Sequence, residues 1–257
     1  MDFKVIHIDE TDSTNQSLRN NPALSGNKGR LLEEDAQEGC IVVVAAYQTA
    51  GKGCGTNSWE SERGKNLTFS ILIHPEGILA NEQFRITEIV SVAMCETLEQ
   101  CGCKEVSIKW PNDIYVGDRK ICGILIENRL QGMTIKDSII GIGLNVNQTV
   151  FKSDAPNPVS LYQILGKESN LEDILKTFLT AFEAAYQNKG TRLAYRTLLY
   201  RKGVEAQYIE TTDRSTDKSA EPFTAKLTDV LPDGRLLLVD QEGRERLYAF
   251  KEVQFII

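Results

Sequence analysis

The stretch from Lys109 to Glu127 constrains the fold most, because it reads as a β-hairpin carrying a cluster of charged and amide side chains. Ile114 to Val116 is an apolar run, Gly117-Asp118 is a two-residue turn of the glycine-first kind, and Lys120 to Glu127 is the returning strand. Lys109, Asn112 and Asp113 precede the first strand, while Arg119 and Lys120 follow the turn. Trp110-Pro111 holds the approach extended, since a residue before proline is pushed out of the helical region. A lysine on a strand has a fixed direction, so Lys120 can be aimed at an anion. Taken alone, the stretch also reads as a surface hairpin with solvated charges. The rest of the chain decides between the two.

Upstream, Phe3 to Ile8 alternates like a short strand, and Thr11-Asp12-Ser13-Thr14-Asn15-Gln16 opens a short helix. Asp, Ser and Thr there are ordinary N-cap residues, and the same hydroxyls and amides can face a polar ligand. Asn21 to Gln37 reads as a loop. Cys40 to Ala46 is a continuous β-branched run, the pattern of a buried strand. It leads into Gly51-Lys52-Gly53-Cys54-Gly55-Thr56 and on to Trp59. Alternate glycines leave that backbone free to approach a ligand, and the spacing is not that of a P-loop.

Leu67 to Ile73 is a further strand. Asn81 to Gly102 is an amphipathic helix with Ile86, Ile89, Val90, Ala93, Met94 and Leu98 on one face and Gly102 as C-cap. Thr134 to Ile142 is a strand running into Gly141-Ile142-Gly143-Leu144-Asn145-Val146-Asn147, where glycines mark a close approach and Asn145 and Asn147 share a face. Pro156 and Pro158 flank a loop. Ser169 to Glu172 fits a capping box opening a helix through Tyr186, and Thr191 to Tyr200 is a last helix. After Gly203 the texture changes to five short strands separated by polar turns, which predicts a small β-barrel. The expected organisation is a domain over 1–202 and a small β-domain over 203–257.

With 257 residues, 41% hydrophobic and 25% charged, the composition is that of a soluble globular protein. A net charge of -7 argues against a general nucleic-acid or membrane-surface binder. No apolar run reaches membrane-span length and no signal peptide is evident, so a cytoplasmic location is expected. Six scattered cysteines and two histidines, with no C-x-x-C pair, argue against a zinc site or a disulfide framework.

Three patterns occur together: Asp12-Ser13-Thr14-Asn15, Gly51-Lys52-Gly53 leading to Trp59, and Lys109-Trp110-Pro111-Asn112-Asp113 followed by Arg119-Lys120-Ile121-Cys122-Gly123. In this order the chain resembles the biotin protein ligases over essentially its whole length. The resemblance implies an α/β (α+β) fold: a class II synthetase-like catalytic domain, with a mixed β-sheet and helices packed on one face, then a small SH3-like β-barrel. It implies a two-step reaction, in which biotin and MgATP give biotinyl-5′-AMP and a lysine of a biotin carboxyl carrier domain then takes the biotinyl group. ATP and Mg²⁺ act as co-substrate and activator, with no tightly bound cofactor.

By the same resemblance Lys120 and Asp113 are catalytic, and Asp113 is the candidate Mg²⁺ ligand. Ser13, Thr14, Asn15 and Gln48 line the biotin pocket, while Gly51, Lys52 and Gly53 close over biotin and the adenylate. Cys54, Trp59, Asn112, Gly123 and Asn145 complete the biotinyl-AMP site. Partners are a carboxylase carrier, with no nucleic acid and no membrane, and the protein is a monomer or a homodimer. The ligase pattern begins by residue 10, so a ligase without a DNA-binding domain is expected. A lipoate or octanoate ligase and a non-catalytic biotin sensor are the alternatives.

The family loop usually reads G-R-G-R, whereas Lys52 and Cys54 stand here. Lysine keeps the charge without the bidentate fork, and cysteine keeps neither. A looser grip on biotinyl-AMP is therefore expected; Cys54→Arg should slow its release, and equal release rates would contradict this.

Overall fold

The computed structural model describes residues 1–20, 39–55, 57–152, 157–211 and 221–257. The expected loop from Asn21 to Gln37, together with Thr56 and Pro156, lies outside the described residues. Among the described residues seven strands form the main sheet: β1 (Phe3–Thr11), β2 (Cys40–Gln48), β3 (Leu67–Ile73), β4 (Val106–Lys109), β5 (Asp113–Val116), β6 (Arg119–Gln131) and β7 (Thr134–Leu144). Their order is β1-β2-β3-β7-β6-β5-β4, and only the β1–β2 pairing is parallel.

One face of this sheet builds the main core. Val42, Val44, Phe69, Ile71, Ile140 and Ile142 pack there against α2 (Phe84–Gln100) and α4 (Leu171–Gln187). Helix α2 buries Ile86, Ile89, Val90, Ala93, Met94 and Leu98, the stripe read from the sequence. It ends in a Schellman motif: Gly102 takes φ +100, its N–H bonds to Glu99 O at 2.9 Å, and Cys103 N–H bonds to Leu98 O at 3.0 Å. Helix α1 (Thr14–Arg19) departs from the one-face expectation and lies on the opposite side. It is six residues long and contributes Leu18 to a second small cluster with Ile41, Val43, Leu72 and Ile139.

Two capping assignments shift. Asn170 caps α4, accepting from Glu172 N at 2.8 Å and Asp173 N at 3.2 Å, so the box expected from Ser169 does not form. Ser169 is held instead by Asn147, whose side chain bonds its N–H and its C=O, each at 2.9 Å. A capping box does form one element earlier, where Ser160 and Gln163 open α3 (Leu161–Leu165). Helix α5 (Thr191–Thr197) stops short of Tyr200, because the chain then runs along the β4 edge. Ile108 N–H bonds to Leu198 O at 2.8 Å and Tyr200 N–H to Ile108 O at 2.9 Å.

The expected short strands follow as β8 (Glu205–Glu210), β9 (Phe223–Val230), β10 (Leu236–Asp240), β11 (Glu245–Tyr248) and β12 (Val253–Phe255). They form an antiparallel sheet of order β11-β10-β9-β8-β12, a meander whose last strand returns to the first. Its inner residues Tyr208, Ala225, Leu227, Leu236 and Leu238 join the same apolar cluster as Tyr195 and Leu199, so the core is continuous through Gly203. Trp110 is the main wedge. Its Nε1 donates to Gly234 O at 2.8 Å and its ring packs edge-on against Phe250. Gly234, at φ +89, must be glycine, since a Cβ there would stand 2.8 Å from Phe84 Cγ.

Glu88 is buried within α2, 3.9 Å from Arg192. Burial pushes its carboxyl up, against the pull of Arg192, Arg85 and Arg196. The folded chain therefore binds this proton more tightly than the unfolded one. That stability is present below the ordinary carboxylate range and is lost as pH rises through the raised value. Glu88→Gln should raise the melting temperature at pH 7 by about 2–4 °C, a gain that disappears near pH 4; a variant less stable at pH 7 would show that the Arg192 pair outweighs burial.

Candidate active site

On the face of the sheet opposite the main core, the surface beyond the Leu18 cluster is built from small and polar residues. Gly123 of β6 and Gly141 and Gly143 of β7 lie on it, with Ser70 of β3 beside them. The glycines floor a cavity of ≈ 1550 Å³ that opens toward the C-terminal sheet. The glycines are required by close approach. A Cβ on Gly143 would stand 2.5 Å from Trp59 Nε1, one on Gly123 2.9 Å from Trp59 Cζ3, and one on Gly141 3.0 Å from Asn15 Cγ. The indole of Trp59 thus lies on this floor, and its buried Nε1 has no partner among the described residues.

At one end is a network of hydroxyls and amides. Thr14 N–H, at the start of α1, donates to Gln48 Oε1 at 2.8 Å, and Thr14 Oγ1 lies 3.2 Å from the same oxygen. Ser70 Oγ lies 2.6 Å from both Thr14 Oγ1 and Asn15 Oδ1. Asn15 Nδ2 donates to Glu127 Oε2 at 2.9 Å, and Arg19 pairs with the same carboxylate. Ser13, Thr14 and Asn15 are each at least 95% buried, so these groups present a fixed hydrogen-bonding surface.

At the other end Lys120 Nζ sits 2.7 Å from Asp113 Oδ1. Regular alternation would send Lys120 toward the main core with Cys122 and Ile124. A β-bulge prevents this: Ile114 pairs with Cys122 but Tyr115 pairs with Lys120, leaving Ile121 as the extra residue. Ile121 and Cys122 are both fully buried, while Lys120 joins the Asp113 and Gly123 face. The backbone of Lys120 is clamped from outside, its N–H to Asn157 O at 2.8 Å and its C=O from Val159 N–H at 2.9 Å. Lys109 lies behind the pair, its ammonium over the rings of Tyr115 and Phe255 at 5.3 and 5.4 Å. Burial holds its pKa below the usual lysine value, partly opposed by Asp113.

Between the two ends runs the glycine loop. Trp59 N–H bonds to Gly51 O at 2.9 Å and Gly53 N–H to Asn57 O at 2.8 Å, closing it as a small hairpin. Lys52, Gly53, Cys54 and Trp59 line the cavity; Gly51 instead forms the base of the loop, where Trp59 O leaves no room for a side chain. Asn112 and Asn145 also line it, yet each is tied to backbone, Asn112 Nδ2 to Ile124 O at 2.6 Å and Asn145 Nδ2 to Val159 O at 3.1 Å. Asn147 does not join Asn145 as expected, because it is the residue that clasps Ser169.

A model of the Biotin/lipoate A/B protein ligase family matches residues 10–145. The chain belongs to that family. It is 30% identical over 230 residues to the "Bifunctional ligase/repressor BirA" of Bacillus spizizenii, covering 85% of this chain and 67% of the relative. It is 29% identical over 180 residues to the "Biotin--[acetyl-CoA-carboxylase] ligase" of Paracoccus denitrificans, covering 67% of this chain and 68% of that one. In fold it matches the biotin protein ligase from Aquifex aeolicus in complex with biotin and ATP, with a TM-score of 0.74, 23% identity and 98% of each chain covered.

Sequence reasoning missed two residues that hold Thr14 and Asn15 at the polar end of this ligase-family cavity. Ser70 carried a signal, being the hydroxyl at the centre of an otherwise apolar buried segment, Phe69-Ser70-Ile71. Glu127 carried none, because its partner Asn15 is 112 residues away. Gly143→Ala should expel the indole of Trp59 from the floor, giving a red-shifted tryptophan emission and a stability loss of about 1–3 kcal/mol; an unchanged spectrum would show that Trp59 does not rest there.

Proposed function

We propose that this protein activates biotin with ATP to biotinyl-5′-AMP and transfers the biotinyl group to a lysine of a biotin carboxyl carrier domain. The observation that carries the reading is a single cavity with a hydrogen-bonding amide and hydroxyl network at one end and the Lys120–Asp113 pair at the other. Biotin has matching ends: a urea ring that donates and accepts hydrogen bonds, and a carboxylate on an apolar tail. The Ser13–Asn15 and Gln48 network would hold the urea. The bicyclic ring would lie on the glycine floor against Trp59, whose unpartnered indole nitrogen suits a face that a ligand completes.

In the first step a carboxylate oxygen attacks the α-phosphorus, the bond to the β-phosphate oxygen breaks, and pyrophosphate leaves. The carboxylate is already ionised near neutral pH, so no general base is required. Charge gathers on the phosphoryl oxygens, and Lys120, fixed by its bulge and clamp, would neutralise it. In the second step the neutral carrier amine attacks the acyl carbon, the bond to the AMP oxygen breaks with its electron pair, and the amine gives up its proton to solvent. Asp113 would accept a hydrogen bond from that amine and orient it.

Among the described residues no cluster of three or more acidic, histidine or cysteine side chains could cage a metal. One carboxylate, Asp113, fits Mg²⁺ held chiefly by nucleotide phosphates, where it would offset their charge. No helix among the described residues is long and apolar enough to cross a membrane. All six cysteines are free, which suits the reducing cytoplasm in which we place the protein.

Incubation with biotin, MgATP and a carrier domain should add one biotinyl group to the carrier, as read by mass. The gain should be absent without ATP and absent with lipoate. Lys120→Ala should slow pyrophosphate exchange by about 10²- to 10³-fold, the effect of removing one preorganised oxyanion donor. Tight biotin binding without carrier modification would make the protein a sensor instead.

A further inference from the structure

The C-terminal sheet reaches the glycine loop through one side chain. Lys251 lies in the turn between β11 and β12 with φ +69, a conformation that residues with a Cβ rarely adopt. The turn is pinned all the same. Glu252 N–H bonds to Ala249 O at 3.1 Å, Ala249 N–H to the Glu252 carboxylate at 2.7 Å, and Thr211 N–H to Glu252 O at 2.8 Å. The Thr211 hydroxyl donates to the carbonyl of Lys251 itself. With the backbone held this firmly, the direction in which the lysine side chain leaves it is fixed at Cβ.

That direction is toward the loop. Lys251 Nζ crosses so near Gly55 that a Cβ built there would stand 2.5 Å from it, and Lys251 lines the cavity shared with Lys120. Among the described residues no carboxylate pairs with it, whereas Lys120 is paired with Asp113. The half-buried thiol of Cys54 senses the same grouping. Burial pushes it up, Lys251 is the largest charge pulling it back, and Asp113 and Lys120 act on it next.

We propose that Lys251 is a nucleotide-binding residue of this ligase, reaching across Gly55 to bind the β- and γ-phosphates of ATP. The assignment rests on the ligase reading above. A triphosphate carries about four negative charges, and Lys120 can meet only those beside the reacting α-phosphate. An unpaired ammonium at the loop is the point charge that the distal phosphates need. The cation missing from position 54 is then restored from the C-terminal sheet. In that case Cys54→Arg has less effect in the wild type than in a background lacking Lys251, a coupling that a double-mutant cycle measures.

The experiment is direct titration of MgATP, with KM for biotin and for a carrier domain measured in parallel, on the wild type, Lys251→Gly, Lys251→Arg and Lys251→Gly/Cys54→Arg. Glycine relaxes the left-handed backbone, so Lys251→Gly should melt no lower than wild type. Its Kd for ATP should rise about 10- to 100-fold, the effect of losing one charged hydrogen bond, with KM for biotin and carrier changed by less than about twofold. Lys251→Arg should retain ATP affinity, and Cys54→Arg should restore much of it to Lys251→Gly. An unchanged Kd for ATP, or a defect confined to KM for the carrier, would overturn the proposal. A wild type that binds ATP in a Lys251-dependent way yet never modifies a carrier would sink the ligase reading and leave this one standing.

Discussion

One inserted residue in β6 decides what the candidate site can do. A strand turns alternate side chains to opposite faces, and β6 spends its even positions Cys122, Ile124 and Ile126 on the main core. Lys120 shares that parity. Without the bulge at Ile121 its ammonium would enter an apolar core, where an unpaired charge is expensive enough to unfold the local structure or to lose its proton. With the bulge it lies beside Asp113 on the open face, and the 157–159 segment clamps its backbone on the outer side. The hairpin is thus both a structural solution and the aiming device for the cation. A fixed cation is what adenylate chemistry requires, because a charge already in place needs no reorganisation as negative charge develops.

The two faces of the sheet show the division of labour that follows. Strand β3 is buried along its whole length, yet Leu67, Phe69, Ile71 and Ile73 go to the helices while Ser70 goes to the cavity network. Strand β7 sends Ile140, Ile142 and Leu144 to the core, and its other face carries Gly141 and Gly143. The glycines create volume by what they omit, and the neighbouring strands keep that volume from collapsing. The core face can therefore be packed for stability without regard to ligand, and the open face can be left incomplete.

Much of this was legible because strong local patterns coincide with tertiary need. The β-branched run at Cys40, the stripe of α2 and the glycine-first turn at Gly117 each read the same way locally and globally. Residues within one short motif, such as Ser13 to Asn15 or Asp113 and Lys120, were also brought to a common cavity. What escaped were choices made by distant partners. Asn147 follows the same alternation as Asn145 in sequence, and only the backbone of Ser169 decides that it leaves the site. Nothing near Lys120 announces the bulge, because a bulge is a property of a strand pair. Among the described residues helix α1 takes the open face because its single apolar anchor, Leu18, finds Ile41 and Leu72 there.

The C-terminal sheet belongs to the same argument. Trp110 stands in the motif that delivers the hairpin, but its indole N–H and ring are satisfied by Gly234 and Phe250, both beyond Gly203 in the chain. Lys109 is sandwiched between Tyr115 of the hairpin and Phe255 of β12, and burial there lowers the affinity of its amine for a proton. The strand carrying Asp113 is therefore braced by two consecutive residues whose contacts come from the other sheet. A cation aimed by a bulge keeps its aim only if the strand bearing its partner cannot slide. Packing two sheets around Trp110 supplies that restraint, and it makes the mouth of the cavity a joint between them.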